Sequence, residues 1–464
     1  MKMISPRSAH NCGAAGFAAL SAPSTSTLPC VIATRARMLA IAALAFAGTA
    51  WAQQLTIIQP GIGDTTSAAS AISADGTTVV GVSSRPVPFR SQGFRQLWQQ
   101  TTVSTILPPL AAAQNTVATG VSCDGSVIIG QSGTTSQPQA VKWANGQTFP
   151  MGFLSSASNR TSLAKAVSCD GQTIVGQASN STNDLEAFRS ASTTAAPGPL
   201  QGLGFISPSS NNESSANGVS STGIIIGRSS RSTAGSSVAS FEAVSWAPPA
   251  GPYQSLGQPF GYGQDDTATA ITPDGSVIVG SITFNSFSFV PFRATRTQSG
   301  VISSFDALVP CDEGSGSATA VSADGRIVVG FDDCTGPNRA FVWDPVNGYR
   351  LVQDILAAAG TLPAGFTMTI ATGISADGTT IVGNGTATGF IPRAWVAVIP
   401  RTDVEPCPAC PADYNQDGGI TGDDIAAFFA DFESGGGCSD TNLDGGITGD
   451  DIGAFFSAFE AGGC

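Results

Sequence analysis

Beyond position 10 the 464-residue chain contains no histidine. His10 lies in an N-terminal leader, so an exported form has none. This excludes Ser-His-Asp and Cys-His catalysis and histidine-ligated zinc or copper. Bases are scarce as well. Residues 1–52 hold Lys2, Arg7, Arg35 and Arg37 and no acid, so their removal leaves 16 of the 20 bases against all 33 acids and moves the net charge from −13 to −17. A nucleic-acid interface would be basic, and nucleic acid is therefore not an expected partner. Long apolar runs are missing too. The one extended run, Met38 to Ala52, follows Arg35 and Arg37, is rich in small residues and ends in Ala50-Trp51-Ala52. It is too short for a stable span and reads as a secretory signal cleaved before Gln53, which places the protein outside the cell or on its surface.

What the chain has in abundance is one phrase. At its clearest it is SATAVSADGRIVVG, Ser317 to Gly330, and it recurs in seven copies ending at Gly81, Gly130, Gly176, Gly227, Gly280, Gly330 and Gly383, 46 to 53 residues apart. Each copy sets two apolar runs around Asp-Gly, the strongest short hairpin signal, for which a type I′ turn with positive φ at both central residues is expected. The closing glycine suits a bend or close backbone approach. Most copies are followed by an aromatic position (Trp98, Trp143, Phe188, Trp246, Phe292, Trp343, Trp395) and then a further short apolar stretch. Four strands at this period predict a propeller blade, and stacking of blades on both faces explains why the Val/Ile runs do not alternate with polar residues. The last copy lacks its fourth strand. The segment Leu55–Gln59 is an orphan strand, predicted to complete that blade and leave no open sheet edge. The expected fold is mainly β: a seven-bladed β-propeller over residues 53–400, a linker over 401–411 and a small α-helical calcium-binding domain over 412–464.

The hairpin with its downstream Ala340, Phe341 and Trp343 resembles the extracellular HAF-type repeats, over roughly residues 55–398. The resemblance implies a propeller-like fold and is built on packing residues. The fourth copy departs from it, with Ser221-Thr222-Gly223 in place of Asp-Gly and a hairpin one residue shorter.

Eight cysteines follow the leader, an even number that favours disulfides in an exported chain. Cys311 and Cys334 flank one hairpin and are predicted to pair. Cys123 and Cys169, at equivalent places in adjacent blades, either bond across blades or stay as buried thiols. A Cys311–Cys334 bridge would gather Asp312, Glu313, Asp332 and Asp333, which form either a solvated acidic turn or an all-oxygen cation site.

After Pro400 the composition changes. DYNQDGGITGDD (413–424) and DTNLDGGITGDD (440–451) lie 27 residues apart. Each reads as a twelve-residue calcium loop, with ligands at Asp413, Asn415, Asp417, Gly419, Thr421 and Asp424, and at Asp440, Asn442, Asp444, Gly446, Thr448 and Asp451. Position 12 is Asp rather than Glu, so that shorter side chain must sit closer to the ion. Two Ca²⁺ ions are the expected cofactors. Each loop runs into an apolar helix, with Ile425, Phe428, Phe429 and Phe432 on one face and Ile452, Phe455, Phe456 and Phe459 on the other. Residues 401–464 carry 13 acids and Arg401 alone as base, so ion binding and folding are expected to be coupled.

Two loop–helix units, with Gly437-Cys438 and Gly463-Cys464, resemble a type I dockerin and the GC-type dockerin-like domains. The resemblance implies attachment to a cohesin-like receptor or to a cell-envelope component. Loop positions 10 and 11, commonly hydroxyl residues in dockerins, are here Gly422-Asp423 and Gly449-Asp450.

The function expected from the sequence is a non-catalytic exported scaffold or binding protein, its propeller displayed through the calcium-dependent tail. Asp75, Asp124, Asp170, Asp274, Asp324 and Asp377 are assigned to turns, and no catalytic residue is assigned. The alternative is a tethered polysaccharide-degrading, glycoside hydrolase-type or glycan-binding protein. Its candidate acids are Asp184, Glu186, Glu213, Asp265, Asp266 and Asp306, two of which would have to stand roughly 5–9.5 Å apart. Tyr253, Phe260, Tyr262 and Phe284–Phe289 are the candidate aromatic contacts for glycans.

Overall fold

In the computed structural model the described residues are 53–402, apart from 88, 112–114, 157–159, 192–196, 207–211, 232–239, 248–252, 258–264, 286–287, 298–299, 309–314 and 335, together with 410–415, 419–434, 437–439, 441 and 449–462. Residues 1–52, read from the sequence as a secretory leader, lie outside them. Seven four-stranded antiparallel sheets form a propeller. Their inner strands are Thr66–Ile72, Asn115–Val121, Ser162–Val167, Ser214–Val219, Thr267–Ile271, Gly316–Val321 and Thr367–Ile374. The orphan first strand, Gln54–Ile58, is the outer strand of blade 7, pairing Thr56 with Val396 and Ile57 with Trp395. The ring is thus closed by its own N-terminal segment, as the sequence predicts.

The Val/Ile runs form the second strand of each blade and are buried on both faces: Val79, Val80, Ile129, Val175, Ile226, Val279, Val329 and Val382. The aromatic positions of the third strands lie between blades, with Phe188, Phe292 and Trp395 fully buried. Each closing glycine faces the inner strand at a distance no side chain tolerates. A methyl on Gly280 would sit 2.0 Å from the Thr267 carbonyl oxygen, and the same overlap recurs in all seven blades, as at Gly227 against Ser215 at 1.9 Å.

The hairpin turns differ from the type I′ geometry expected. Positive φ occurs at the glycine (Gly76, Gly125, Gly171, Gly275, Gly325, Gly378) and at none of the preceding aspartates. The reason is a hydroxyl two residues before the Asp. In the first copy Gly76 N–H donates to Ser73 O, Thr78 N–H donates to Ser73 Oγ, and the Asp75 carboxylate accepts both Ser73 Oγ–H and Thr77 N–H. The side chains close the loop that a mirror-image turn would otherwise close with backbone alone. These bonds hold the carboxyls of Asp75, Asp124 and Asp274 below the ordinary range, against the opposing effect of burial, which is the largest single influence at Asp75 and Asp274. In the fourth copy Ser220 Oγ and Thr222 Oγ1 do the same at 2.8 Å.

These turns also join one another around the lower end of the channel. Ala376 N–H donates to Ala74 O, Ala74 N–H to Cys123 O and Cys123 N–H to Cys169 O, while Ala323 N–H reaches Ala376 O and Ser221 N–H reaches Pro273 O. Pro273 has no N–H, so the chain of bonds cannot pass through it to Ala323. Cys123 and Cys169 are disulfide-bonded across blades 2 and 3, with Cα atoms 4.6 Å apart. That settles the alternative between bonded and free thiols. Cys334, Cys410 and Cys438 are also disulfide-bonded. Cys311 lies outside the described residues. So do Phe260 and Tyr262.

At the C-terminus two helices, Gly422–Ser434 and Gly449–Ala461, pack through one ring pair, Phe428 on Phe455, with centroids 4.1 Å apart and planes 7° from parallel. Tyr414 meets both rings edge-on. This is the face pattern read from the sequence, with Phe428 and Phe455 at its centre.

Candidate functional site at the channel mouth

Each inner strand slips register by one residue against the second strand, for example between Ala69 and Ala71, Ala164 and Ala166, and Ala318 and Ala320. The residue left over is Ser70, Thr119, Lys165, Asn217, Thr269, Thr319 or Thr372. A bulge re-aims such a side chain out of the ladder, and from Thr119 onward it reaches the next blade. Thr119 donates to Ala164 O (2.7 Å), Asn217 to Ala268 O (3.0 Å), Thr269 to Ala318 O (2.5 Å), Thr319 to Ala371 O (2.7 Å) and Thr372 to Ala69 O (3.1 Å). Six of the seven positions are neutral. Lys165 is the charged exception.

The Lys165 ammonium donates to Ser215 Oγ at 2.7 Å and reaches Asn217 Oδ1 at 3.5 Å. Near it Arg228 and Glu213 form an ion pair at 2.7 Å, and Gln177 donates to the same Glu213 oxygen. The Arg228 guanidinium lies over the Phe241 ring, 4.2 Å from its centroid. Phe241 pairs with Asp265 at the entry to the inner strand of blade 5. Asp266 follows, buried, accepting Thr283 N–H at 2.8 Å. Glu242, also buried, accepts from Ser255 Oγ and lies 4.0 Å from Arg231.

The electrostatics push acids and base towards each other. Burial, with the like charge of Arg228, lowers the Lys165 pKa to about 8 despite Glu213. Partial desolvation raises the Asp265 carboxyl although the residue is largely exposed, with Arg228 opposing. Burial also raises Asp266, reinforced by the charges of Glu242 and Asp265 and opposed by its bonds from Thr283. Displaced ionisation of this kind concentrates at functional sites.

Of the six acids singled out from the sequence, Glu213, Asp265 and Asp266 belong to this site. Asp184 and Glu186 lie at the start of a blade 3 strand and are held by local bonds, from Thr182 and Asn212 to Asp184 and from Asn180 and Gly204 to Glu186. Asp306 sits apart on the outer strand of blade 5, paired with Arg293 at 3.2 Å. Lys165, Arg228 and Glu242 were not singled out. For Lys165 the signal was present, since its copy of the phrase alone places a charge where the others have a hydroxyl or an amide.

The acidic turn beside Cys334 does not form a cation site on its described half. Asp332 is taken by Arg339 at 2.7 Å and by the Tyr349 hydroxyl. Asp312 and Glu313 lie outside the described residues.

In the C-terminal module Asp413, Asn415, Gly419, Thr421, Asp424 and Asp451 are described. Asp417, Asp440, Asn442, Asp444, Gly446 and Thr448 lie outside. Asp424 closes the first loop, its two oxygens accepting Asn415 N–H at 3.0 Å and Thr421 N–H at 2.7 Å, bonds that lower its pKa. Asp424 and Asp451 are both buried at the starts of their helices. An oxygen-only donor set drawn in this way to the helix start fits a hard cation. Among the described residues no three His, Cys, Asp or Glu side chains gather as a metal site.

No protein-family model and no curated relative matches the chain. Solved structures do. Oligogalacturonate lyase from Vibrio parahaemolyticus is 10% identical with a TM-score of 0.48, over 75% of this chain and 94% of the lyase. A puromycin-hydrolyzing peptidase from Mycobacterium tuberculosis is 15% identical with a TM-score of 0.45, over 75% of this chain and 56% of the peptidase. TolB from Acinetobacter baumannii is 14% identical with a TM-score of 0.34, over 51% of this chain and 52% of TolB. The chain therefore spans about half the length of the peptidase and of TolB. These likenesses show the fold alone. The expectation of a non-catalytic scaffold displayed through its tail is corrected here, since the solved structures similar to this chain include a lyase and a peptidase.

Proposed function

We propose that the protein is an exported acid–base catalyst acting on an anionic substrate at the channel mouth formed by blades 3 to 5. The observation that carries this reading is Lys165, the one charge in a ring of seven otherwise neutral bulge positions, with its pKa lowered to about 8. Near that pH a sizeable fraction of Lys165 is neutral and can accept a proton. Arg228, stacked on Phe241, is placed to hold the substrate anion. Asp265, at the strand entry beside Phe241, is the group assigned to return a proton. The Cys123–Cys169 bond supports export, since such bridges persist in oxidising compartments. As a separate part of the proposal, two Ca²⁺ ions organise the C-terminal loops, with Asp413, Asn415, Gly419, Thr421 and Asp424 holding one and Asp451 closing the other. Their role there is structural.

The test is turnover of a panel of uronate oligosaccharides and acidic acyl-peptides, followed by mass spectrometry. The wild type is expected to convert a member of the panel, Lys165→Met to lose that activity and Asp306→Asn to retain it. Equal turnover by Lys165→Met, or neither turnover nor calorimetric binding of any member by the wild type, contradicts the reading.

A further inference from the structure

Three loops come together at the upper end of blades 7 and 1: residues 59–65, which lead from the closing strand into the first inner strand, the hairpin at 85–90, and the hairpin at 388–390. Hydrogen bonds tie them into one surface. Arg393 donates to Thr65 O at 2.6 Å, Arg90 donates to Ile62 O at 3.3 Å and pairs with Asp64 at 2.6 Å, and Thr65 N–H donates to Ser84 O. At the tips stand Ile62, Val87, Phe89 and Phe390, between 63% and 94% exposed, with Ile391 beside them. Exposed apolar residues are ordinary when scattered. Four on three neighbouring loops, the third joined to the first through Arg393 in the strand beyond its tip, form a patch.

Phe390 adds an independent observation. It has φ 58°, a left-handed conformation that a bulky side chain adopts only at a cost, and it directly follows Gly389 at φ 84°. Asn or Gly would fill this turn without strain. The ring at Phe390 is buried against nothing, so packing within the propeller does not explain it. Strained residues of this kind concentrate where a surface is used.

The charge around the tips identifies the partner. Arg85, Arg90 and Arg393 share these loops with a single acid, Asp64, whose side chain is fully buried beneath Arg90. Among the described residues no carboxylate pairs with Arg85 or Arg393. The patch is therefore cationic in a strongly acidic protein. The acids of blades 3 to 5 belong to other blades, and screening over about 8 Å weakens their reach. Ile62, Val87 and Phe390 stand on separate loops and line no cavity among the described residues, and Phe89 alone borders a cavity, shared with Asn115, Val117 and Gln131 of the next blade, so a deformable plane fits the set better than a peptide. We propose that this edge of the propeller docks on an anionic lipid bilayer, inserting Ile62, Val87, Phe89 and Phe390 at the headgroup level while Arg85 and Arg393 meet lipid phosphates.

The test is co-sedimentation of the full chain with vesicles of phosphatidylglycerol and phosphatidylcholine, and of phosphatidylcholine alone. The wild type is expected to bind the mixed vesicles and to be released by high salt. Phe390→Asn is expected to melt no lower than the wild type, since it relieves the turn, yet to bind vesicles several-fold more weakly; Arg85→Gln combined with Arg393→Gln is expected to lose the preference for anionic lipid. Absence of binding to either vesicle, equal binding to both, or unchanged binding by a folded Phe390→Asn variant overturns the proposal. Burial of the patch in a solution dimer, shown by dimer dissociation in the Phe390→Asn variant, overturns it in favour of a second copy of the chain.

Discussion

Replacing Lys165 by Met should make the protein more stable at neutral pH. A lysine side chain ordinarily titrates near 10.5, and in the fold this one is lowered to about 8. The difference corresponds to roughly 3 kcal/mol by which folding disfavours the charged ammonium, at about 1.4 kcal/mol per pKa unit. Lys165 is only partly buried, so solvent screening reduces this to ~1–3 kcal/mol. The sign follows from proton counting. Between pH 8 and 10.5 the unfolded chain holds the proton and the folded chain has lost it, so wild-type stability rises with pH through this window. Lys165→Met has no such group. Ser215 Oγ still donates to Asn217 Oδ1 at 2.7 Å, which leaves the neighbouring polar groups satisfied after the ammonium is removed. Urea denaturation of both proteins across this range is the assay. Lys142, which burial also lowers, is common to both and cancels in the difference. The variant should be the more stable by ~1–3 kcal/mol at pH 7, and the two profiles should converge above the upper end of the window. A difference independent of pH, or a less stable variant at pH 7, refutes the reasoning.

Other perturbations test the frame that presents this lysine. Gly280→Ala forces a methyl to 2.0 Å from a backbone carbonyl, so a loss of about 3 kcal/mol or more and a fall in soluble yield are expected; an unchanged urea midpoint contradicts the bulge geometry. Ile58→Ala empties a fully buried position on the closing strand and should cost ~2–5 kcal/mol, with the propeller still unfolding in one transition. In the C-terminal module, Phe428→Ala removes half of the stacked pair and should cost ~3–5 kcal/mol. Chelator should lower the melting of this module while leaving the propeller transition in place, and an identical thermogram with and without chelator contradicts its ion-coupled folding.

The blade count and the burial of five of the seven aromatic positions were legible in the sequence because the phrase is written seven times and repetition makes a packing role visible, and the closing strand was legible because the last copy lacks its fourth strand. The turn was misread in one respect. Asp-Gly is a strong signal, but the serine or threonine two residues earlier decides the turn type, and its part shows only when Ser73 Oγ is seen bonding Asp75 and Thr78 together. The bulge was not legible, because a one-residue slip leaves the apolar pattern of a strand buried on both sides unchanged. Lys165 alone puts a charge at this place in the phrase, but without the bulge nothing in the sequence showed that the position leaves the ladder. The acids were found only in part. Glu213 and Asp265 precede inner strands and look like loop residues in the sequence, whereas Arg228 and Glu242 sit within strands, where a charge gives no hint of which end of the blade it faces.

The measurement that bears most directly on the channel mouth is a pH titration of Lys165 Nζ by heteronuclear NMR. The chain has only three lysines, Lys2, Lys142 and Lys165, so Lys165→Met assigns the signal without ambiguity. A midpoint near pH 8, moving upward when Glu213 is retained and Arg228 is replaced by Gln, is the predicted result. A midpoint at the ordinary 10.5, insensitive to Arg228, would show a solvated ammonium and contradict the assignment of this site.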